Sequence, residues 1–231
     1  VKGIDVLRLF IVRHAESLVN VQGKMMSSTD LPLTEKGLRQ AEAAKSYLGN
    51  ILSPFVFHQV FSSPLLRAKQ TAEIISDNRT IIEECRDLRE MDLGLLEGLT
   101  WEERAAQYPE IDIDHKLSES TLPGGESFRD MQVRCKNFLS SLDFNAARNV
   151  LIVSHGITIR VLINCLLGKD DRCVNHINWA DNTAISEIEV SPSQGSALKQ
   201  LGYRTHLTDL GLGTVDYEKW GLFSPKDYHS V

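Results

Sequence analysis

A chain of 231 residues, 42% hydrophobic and 24% charged, has room for a sizeable core and the balance of an ordinary soluble globular protein. Its net charge of −6, with no Lys/Arg stripe, argues against a nucleic-acid partner; any anion must be met by a few local cations rather than a global field. Cys85, Cys135, Cys165 and Cys173 stand apart with no C-x-x-C, favouring reduced thiols over disulfides or zinc, and no apolar run approaches the ~20 residues of a membrane span.

The amino end, Val1 to Asp5, lacks a signal-peptide pattern, which gives the expectation of a cytoplasmic protein. Leu9-Phe10-Ile11-Val12 predicts a strand buried on both faces, and it stops at Arg13-His14, which no apolar core accepts unpaired. After a polar loop, Leu18 to Pro32, Thr34 reads as the N-cap of a helix reaching about Leu48. Leu38, Ala41, Ala44, Lys45 and Leu48 lie near helical spacing on it. Gln59 to Ser62 is a short second strand. Ser63-Pro64 then reads as a capping serine and first-turn proline, opening a helix to about Ser76. Leu65, Ala68, Ala72 and Ile75 are its inward residues. Thr80 to Glu84 is the third strand candidate, leading into Asp87-Leu88-Arg89-Glu90-Met91. Gly94 and Gly98 mark turns, and Thr100 begins a short helix that ends before Pro109. A polar connector over 110–125 closes on Pro123-Gly124-Gly125. Ser127 with Asp130 resembles a capping box, and its helix carries Phe128, Met131, Cys135, Phe138, Leu139 and Leu142 inward. Val150 to Val153 is the fourth strand, and Ile157 to Leu167 a helix stopped by Gly168. Ala184 to Val190 alternates like a strand, with another at Ala197 to Leu201. The tail holds Tyr217, Trp220, Phe223 and Tyr228, read as packing against the body.

Strands alternating with helices predict an α/β three-layer sandwich: a mostly parallel central sheet flanked by helices on both faces. No repeat or composition shift divides residues 1–231, so one domain is expected.

Ligands in such folds gather at the carboxyl ends of the strands. Val150 to Val153 followed by Ser154-His155-Gly156 repeats the logic of the first strand, and adjacent parallel strands would bring His14 and His155 together. Gly156 permits a tight turn or close approach to a ligand. Arg67 lies in the first turn of the helix after the second strand, and Glu90 follows the third. A lone histidine after a strand is more often structural; four strand ends converging on one rim is what points to chemistry. The set suits phosphoryl transfer to an imidazole. Arg13 and Arg67 would hold the phosphate oxygens. A neutral His14 would attack phosphorus, with the neighbouring arginines disfavouring its protonation. His155, read as a cation, would stabilise transition-state charge, and Glu90 would protonate the leaving alkoxide. No metal or cofactor is required, and the spacing offers no metal-ligand signature.

At these residues the chain resembles the histidine phosphatase superfamily, in its phosphoglycerate-mutase-like branch. The matching pieces are Arg13-His14-Ala15-Glu16-Ser17 with Asn20, Ser62 to Ala68 through Gln70-Thr71-Ala72, Leu88-Arg89-Glu90, and Gly94 to Gly98. Pro123 to Ser127, Val153 to Gly156 with Arg160, Asn182-Thr183 and His206-Leu207 continue the match in order. The resemblance implies that His14 is phosphorylated, Glu90 is the proton donor, and Arg13, Asn20, Arg67 and His155 line the phosphate pocket. It also brings the expectation of a homodimer. Ala15 replaces the commoner glycine, as in some other members. Met91 follows the acid, Trp101 stands where mutases look to have a lysine, and no Arg-Arg pair follows. These departures favour hydrolysis of a small phosphomonoester over a mutase or a non-catalytic binder. Met25, Met26, Met91 and Trp101 suggest a partly apolar substrate pocket.

Overall fold

The computed structural model describes residues 6–143, 149–191, 195–208 and 210–213. Leu7–Arg13 (β1), Gln59–Ser62 (β2), Ile82–Glu84 (β3) and Asn149–Ser154 (β4) are joined in parallel. Ile185–Ser191 (β5) and Gly195–Tyr203 (β6) add antiparallel strands outside β1. Among the described residues this is one six-stranded sheet, ordered β3-β2-β4-β1-β5-β6. The mostly parallel sheet is present as expected. The antiparallel pair is a detail that residue alternation does not encode, because alternation marks faces and not direction.

The period of two divides the core. Leu9 and Ile11 of β1, with Val150 and Ile152 of β4, meet Phe128–Ser141 (α4) and Gly156–Leu167 (α5) through Met131, Phe138 and Leu162. Phe10, Val12, Leu151 and Val153 face the opposite way, onto Glu35–Ile51 (α1) and Leu66–Ser76 (α2). Two helical layers therefore enclose β1 and β4, which is why both strands read as unbroken apolar runs. Each large side chain so buried contributes about 1.5–3 kcal/mol, so the strand ends that carry the site are anchored in the buried core.

Local capping chemistry sets several boundaries. Thr34 Oγ1 accepts from the Gly37 amide at 2.9 Å, and Ser127 with Asp130 forms a reciprocal capping box. Thr100 with Glu103 does the same for Trp101–Gln107 (α3), and α5 ends on Gly168 at φ +59°. Two expectations need correction. The second helix begins at Leu66 rather than at Ser63-Pro64, and no side chain at Leu65 caps it. Asp30, from the loop before α1, accepts the Leu66 amide instead, at 2.6 Å. Leu38 is 43% exposed, while Gly37 and Gln40 are buried. The reason is a backbone contact: a Cβ on Gly37 would lie 1.9 Å from the Glu16 carbonyl oxygen. Gln40 Oε1 accepts the Glu16 amide at 2.9 Å, so polar contacts fill the positions the spacing assigned to Leu38.

All four cysteines are free thiols. No helix among the described residues is long and apolar enough to cross a membrane. Tyr203 ends β6, and Thr205–Thr208 (α6) follows it. Tyr217, Trp220, Phe223 and Tyr228 lie outside the described residues.

Candidate active site

Parallel pairing puts Arg13 opposite Ser154, so the next residue of each strand leaves the sheet beside the other. The rings of His14 and His155 stand 5.0 Å apart at 57°. Both side chains are buried.

His14 Nδ1 donates to the Ala15 carbonyl at 2.8 Å. A carbonyl only accepts, so this partner assigns the proton to Nδ1 and leaves the lone pair on Nε2. Burial, then Arg67 and Arg13, push the His14 pKa well below the ordinary imidazole value. His14 is thus a neutral imidazole with a bare Nε2.

His155 Nε2 meets Ser63 Oγ at 2.7 Å, and Nδ1 is buried with no hydrogen-bond partner. The Leu65 amide donates to the same Ser63 oxygen at 3.3 Å, and with the Ser63 hydroxyl donating to His155 Nε2 the ring proton would lie on Nδ1. Burial, then Arg67, His14 and Arg13, lower its pKa well below the usual range. The expected cation is therefore corrected to a neutral imidazole. A second buried positive charge beside two guanidiniums would be opposed by both desolvation and repulsion. Ser63, expected as a helix cap, instead orients this ring.

Arg67 is 1% exposed, and its two terminal nitrogens donate to the Thr29 and Ser27 carbonyls, each at 2.9 Å. Its Nε is buried without a partner. Arg13 Nη1 donates to the Ala180 carbonyl at 2.7 Å, and the guanidinium carbon sits 6.0 Å from the Trp179 ring centre. Glu90 is half-buried against the first turn of α5. Its Oε2 accepts the Ile157 amide, and Oε1 the Thr158 amide and hydroxyl, all at 3.2 Å. The Met91 amide adds a fourth donor at 2.9 Å. Of the carboxylates acting on Arg67, Glu90 supports its charge most, ahead of Asp30.

Asn20 Oδ1 accepts from the Ser17 amide at 2.9 Å and its hydroxyl at 3.0 Å, which leaves the Nδ2 donors as the part an anion could use. Gly156 is adjacent, at the start of α5. A Cβ there would meet the Trp179 ring at 2.4 Å, so the missing side chain makes room for the indole. Met25 and Met91, read as pocket residues, are instead buried in the core on the α4/α5 side. Trp101 is half-buried against that same core.

Three supporting residues carried little or no signal from their chemistry alone. Asn182 Nδ2 donates to the His14 carbonyl at 2.9 Å, and the Thr183 amide to the Arg13 carbonyl at 3.0 Å with φ +58°. Only the resemblance had pointed to that pair. Trp179, anchored by Asp114 Oδ1 at 2.8 Å, left no trace except the glycine it packs on. Among the described residues no cluster of three or more His, Cys, Asp or Glu is placed to hold a metal ion.

Chemically, this is a neutral imidazole set among unsatisfied donors. A bare imidazole nitrogen lies beside two guanidiniums, with Arg67 Nε and His155 Nδ1 unpaired in the interior. Each unpaired buried donor costs about 1–3 kcal/mol, which an oxyanion with several acceptor oxygens would relieve.

A family model described as histidine phosphatase superfamily (branch 1) matches residues 9–201. An uncharacterized phosphatase, PhoE, of Bacillus subtilis is 33% identical over 184 residues, covering 74% of this chain and 88% of its own. A probable phosphoglycerate mutase, GpmB, of Proteus mirabilis is 32% identical over 221 residues, covering 90% and 99%. The crystal structure of the α-ribazole phosphatase from Shigella flexneri superimposes with a TM-score of 0.73 at 27% identity, over 85% of this chain and 96% of that one.

Proposed function

The chain belongs to the histidine phosphatase superfamily, branch 1, and from that premise we propose that it is a metal-independent phosphatase acting on a small phosphomonoester through a phosphohistidine. The observation that carries the reading is His14: a neutral imidazole whose Nδ1 proton is committed to a backbone carbonyl, so that Nε2 faces the reaction.

In the first step His14 Nε2 attacks phosphorus and the ester P–O bond breaks as the N–P bond forms. Arg13, Arg67, His155 Nδ1 and the Asn20 amide hold the phosphoryl oxygens, in an environment where fixed donors are worth more than in water. Glu90 gives its proton to the departing alkoxide. In the second step Glu90 takes a proton from water, the oxygen attacks phosphorus, and the N–P bond breaks to return neutral His14 and release phosphate.

The mutase-named relative makes phosphate shift between hydroxyls the second reading. It needs a cationic pocket for a second acidic group, and the residue after Glu90 is the fully buried Met91. That favours water as the acceptor. The relatives and neighbours include phosphatases, one of them for α-ribazole phosphate, which supports a small phosphorylated alcohol as the substrate class. A panel of sugar phosphates, α-ribazole phosphate and phosphoserine, ranked by kcat/KM, selects within it.

The deciding assay is phosphate release from p-nitrophenyl phosphate and 3-phosphoglycerate in EDTA, with and without a bisphosphate primer. Release without metal or primer is expected; activity that appears only with primer would replace the reading by the mutase. His14→Ala should abolish turnover and acid-labile phosphate labelling while the thermal unfolding transition persists. Labelling that survived this substitution would remove His14 as the nucleophile.

A further inference from the structure

Ser27, Ser28 and Thr29 close around one carboxylate. Glu97 accepts from the Ser27 amide and hydroxyl, both at 2.8 Å, from the Ser28 hydroxyl at 3.1 Å, and from the Thr29 amide at 3.3 Å and hydroxyl at 3.1 Å. The same segment turns its carbonyls to Arg67, which donates to Ser27 O and Thr29 O. Asp30, the next residue, caps α2 through the Leu66 amide, one residue before Arg67. At the other end the Met25 amide donates to Leu99 O at 2.8 Å and the Gly98 amide to Met25 O at 2.7 Å, tying the strap to the turn that carries Glu97.

Both sets of bonds fall on Ser27 and Thr29. Glu97 fixes Ser27 and Thr29 by their amides and hydroxyls, and the carbonyls of the same two residues accept from Arg67, so holding these residues in place holds those carbonyls. Those carbonyls are the partners that orient the Arg67 guanidinium. Glu97 is half-buried, and burial raises its pKa, yet the Ser27, Ser28 and Thr29 donors outweigh this and hold it below the usual carboxylate value. The strap donors thus favour the charged carboxylate.

We propose that Glu97 is a positioning residue for the phosphate site: it closes the Ser27–Thr29 strap, and the strap aims Arg67 at the phosphoryl group. This rests on the phosphatase reading of the His14 pocket. Glu97 acts through Arg67 and touches no reacting atom, so its removal weakens phosphate binding rather than bond-making.

Glu97→Gln keeps the shape but presents an NH2 to strap donors that require an acceptor. The expected result is a KM for p-nitrophenyl phosphate and an inhibition constant for orthovanadate both raised about tenfold, with kcat within about threefold of the parent. Hydrogen exchange at the Ser27 and Thr29 amides should quicken in the same variant. Placed on Arg67→Ala, the same substitution should change vanadate affinity by less than about twofold, because the effect runs through that guanidinium. Thr29→Val removes one of the five bonds and gives the same test at about threefold should Glu97→Gln fail to fold. Parental vanadate affinity in a folded Glu97→Gln enzyme, or an undiminished loss in the Arg67→Ala background, would overturn the role while the phosphatase reading stood. A parent enzyme that neither releases nor binds phosphate would overturn both.

Discussion

An imidazole buried beside guanidiniums resists protonation, and His14 and His155 are two such rings, both lowered from the ordinary 6.5. His206, whose Nε2 lies 3.2 Å from Thr183 Oγ1, is pushed down to about 4, mainly by burial. Below pH 6.5 the unfolded chain binds protons at these positions while the native state does not, so folding stability must fall with pH. Their contribution is fully present above 6.5 and is lost as pH drops from there toward the folded values. Urea midpoints should be flat between pH 7 and 8 on this account and decline from about 6.5 to 5. Carboxylates such as Glu97, lowered from 4.5, respond only at more acid pH. A midpoint constant down to pH 5 would contradict the neutral pair. Activity should follow the same direction: kcat/KM, corrected for substrate ionisation, should show no loss at 6.5 from His14. Arg67→Ala removes a charge-assisted, geometrically held donor and should weaken phosphate or vanadate binding by about 10- to 100-fold. Unchanged vanadate inhibition in that variant would show that the guanidinium is not a phosphate ligand.

The elements differ in how far their own residues specify them. Thr34, Thr100, Ser127 and Gly168 sit where the sequence places them, because a cap bonds to amides or carbonyls within one turn. The start of α2 escaped that reading because its cap, Asp30, comes from another segment, and Ser63 is drawn instead to His155. Helix α1 offers a paired test. Gly37→Ala forces a methyl group into the Glu16 carbonyl and should destabilise the fold by about 1–3 kcal/mol. Gly49→Ala, on the same helix with nothing within 4 Å of the new Cβ, should stabilise it by about 0.5–1 kcal/mol. Equal shifts in urea midpoint for the two would mean that α1 does not press on the loop after β1.

For the molecule as a whole, the site joins distant parts of the chain: β1, the strap, α2, the turn after β3, β4 and the turn before β5. An anion that binds this arrangement and not the unfolded chain must raise the stability of all of it. Orthovanadate at 100 times its dissociation constant should increase the unfolding free energy by about 2.7 kcal/mol, read as a shift in urea midpoint. The sequence by itself determined the order of elements, the two buried strands and their polar ends, because an apolar run interrupted by Arg-His or Ser-His is a local signal. It also determined the family, through motifs repeated in order along the chain. Tertiary structure alone decided that His155 is neutral, that Gly156 makes room for Trp179, and that Met25 and Met91 belong to the core. It alone joined Glu97 to Arg67 through the strap. A pKa depends on how much water is excluded, and a clash or a shared hydrogen bond depends on distance in space. None of these is a property of neighbours along the chain.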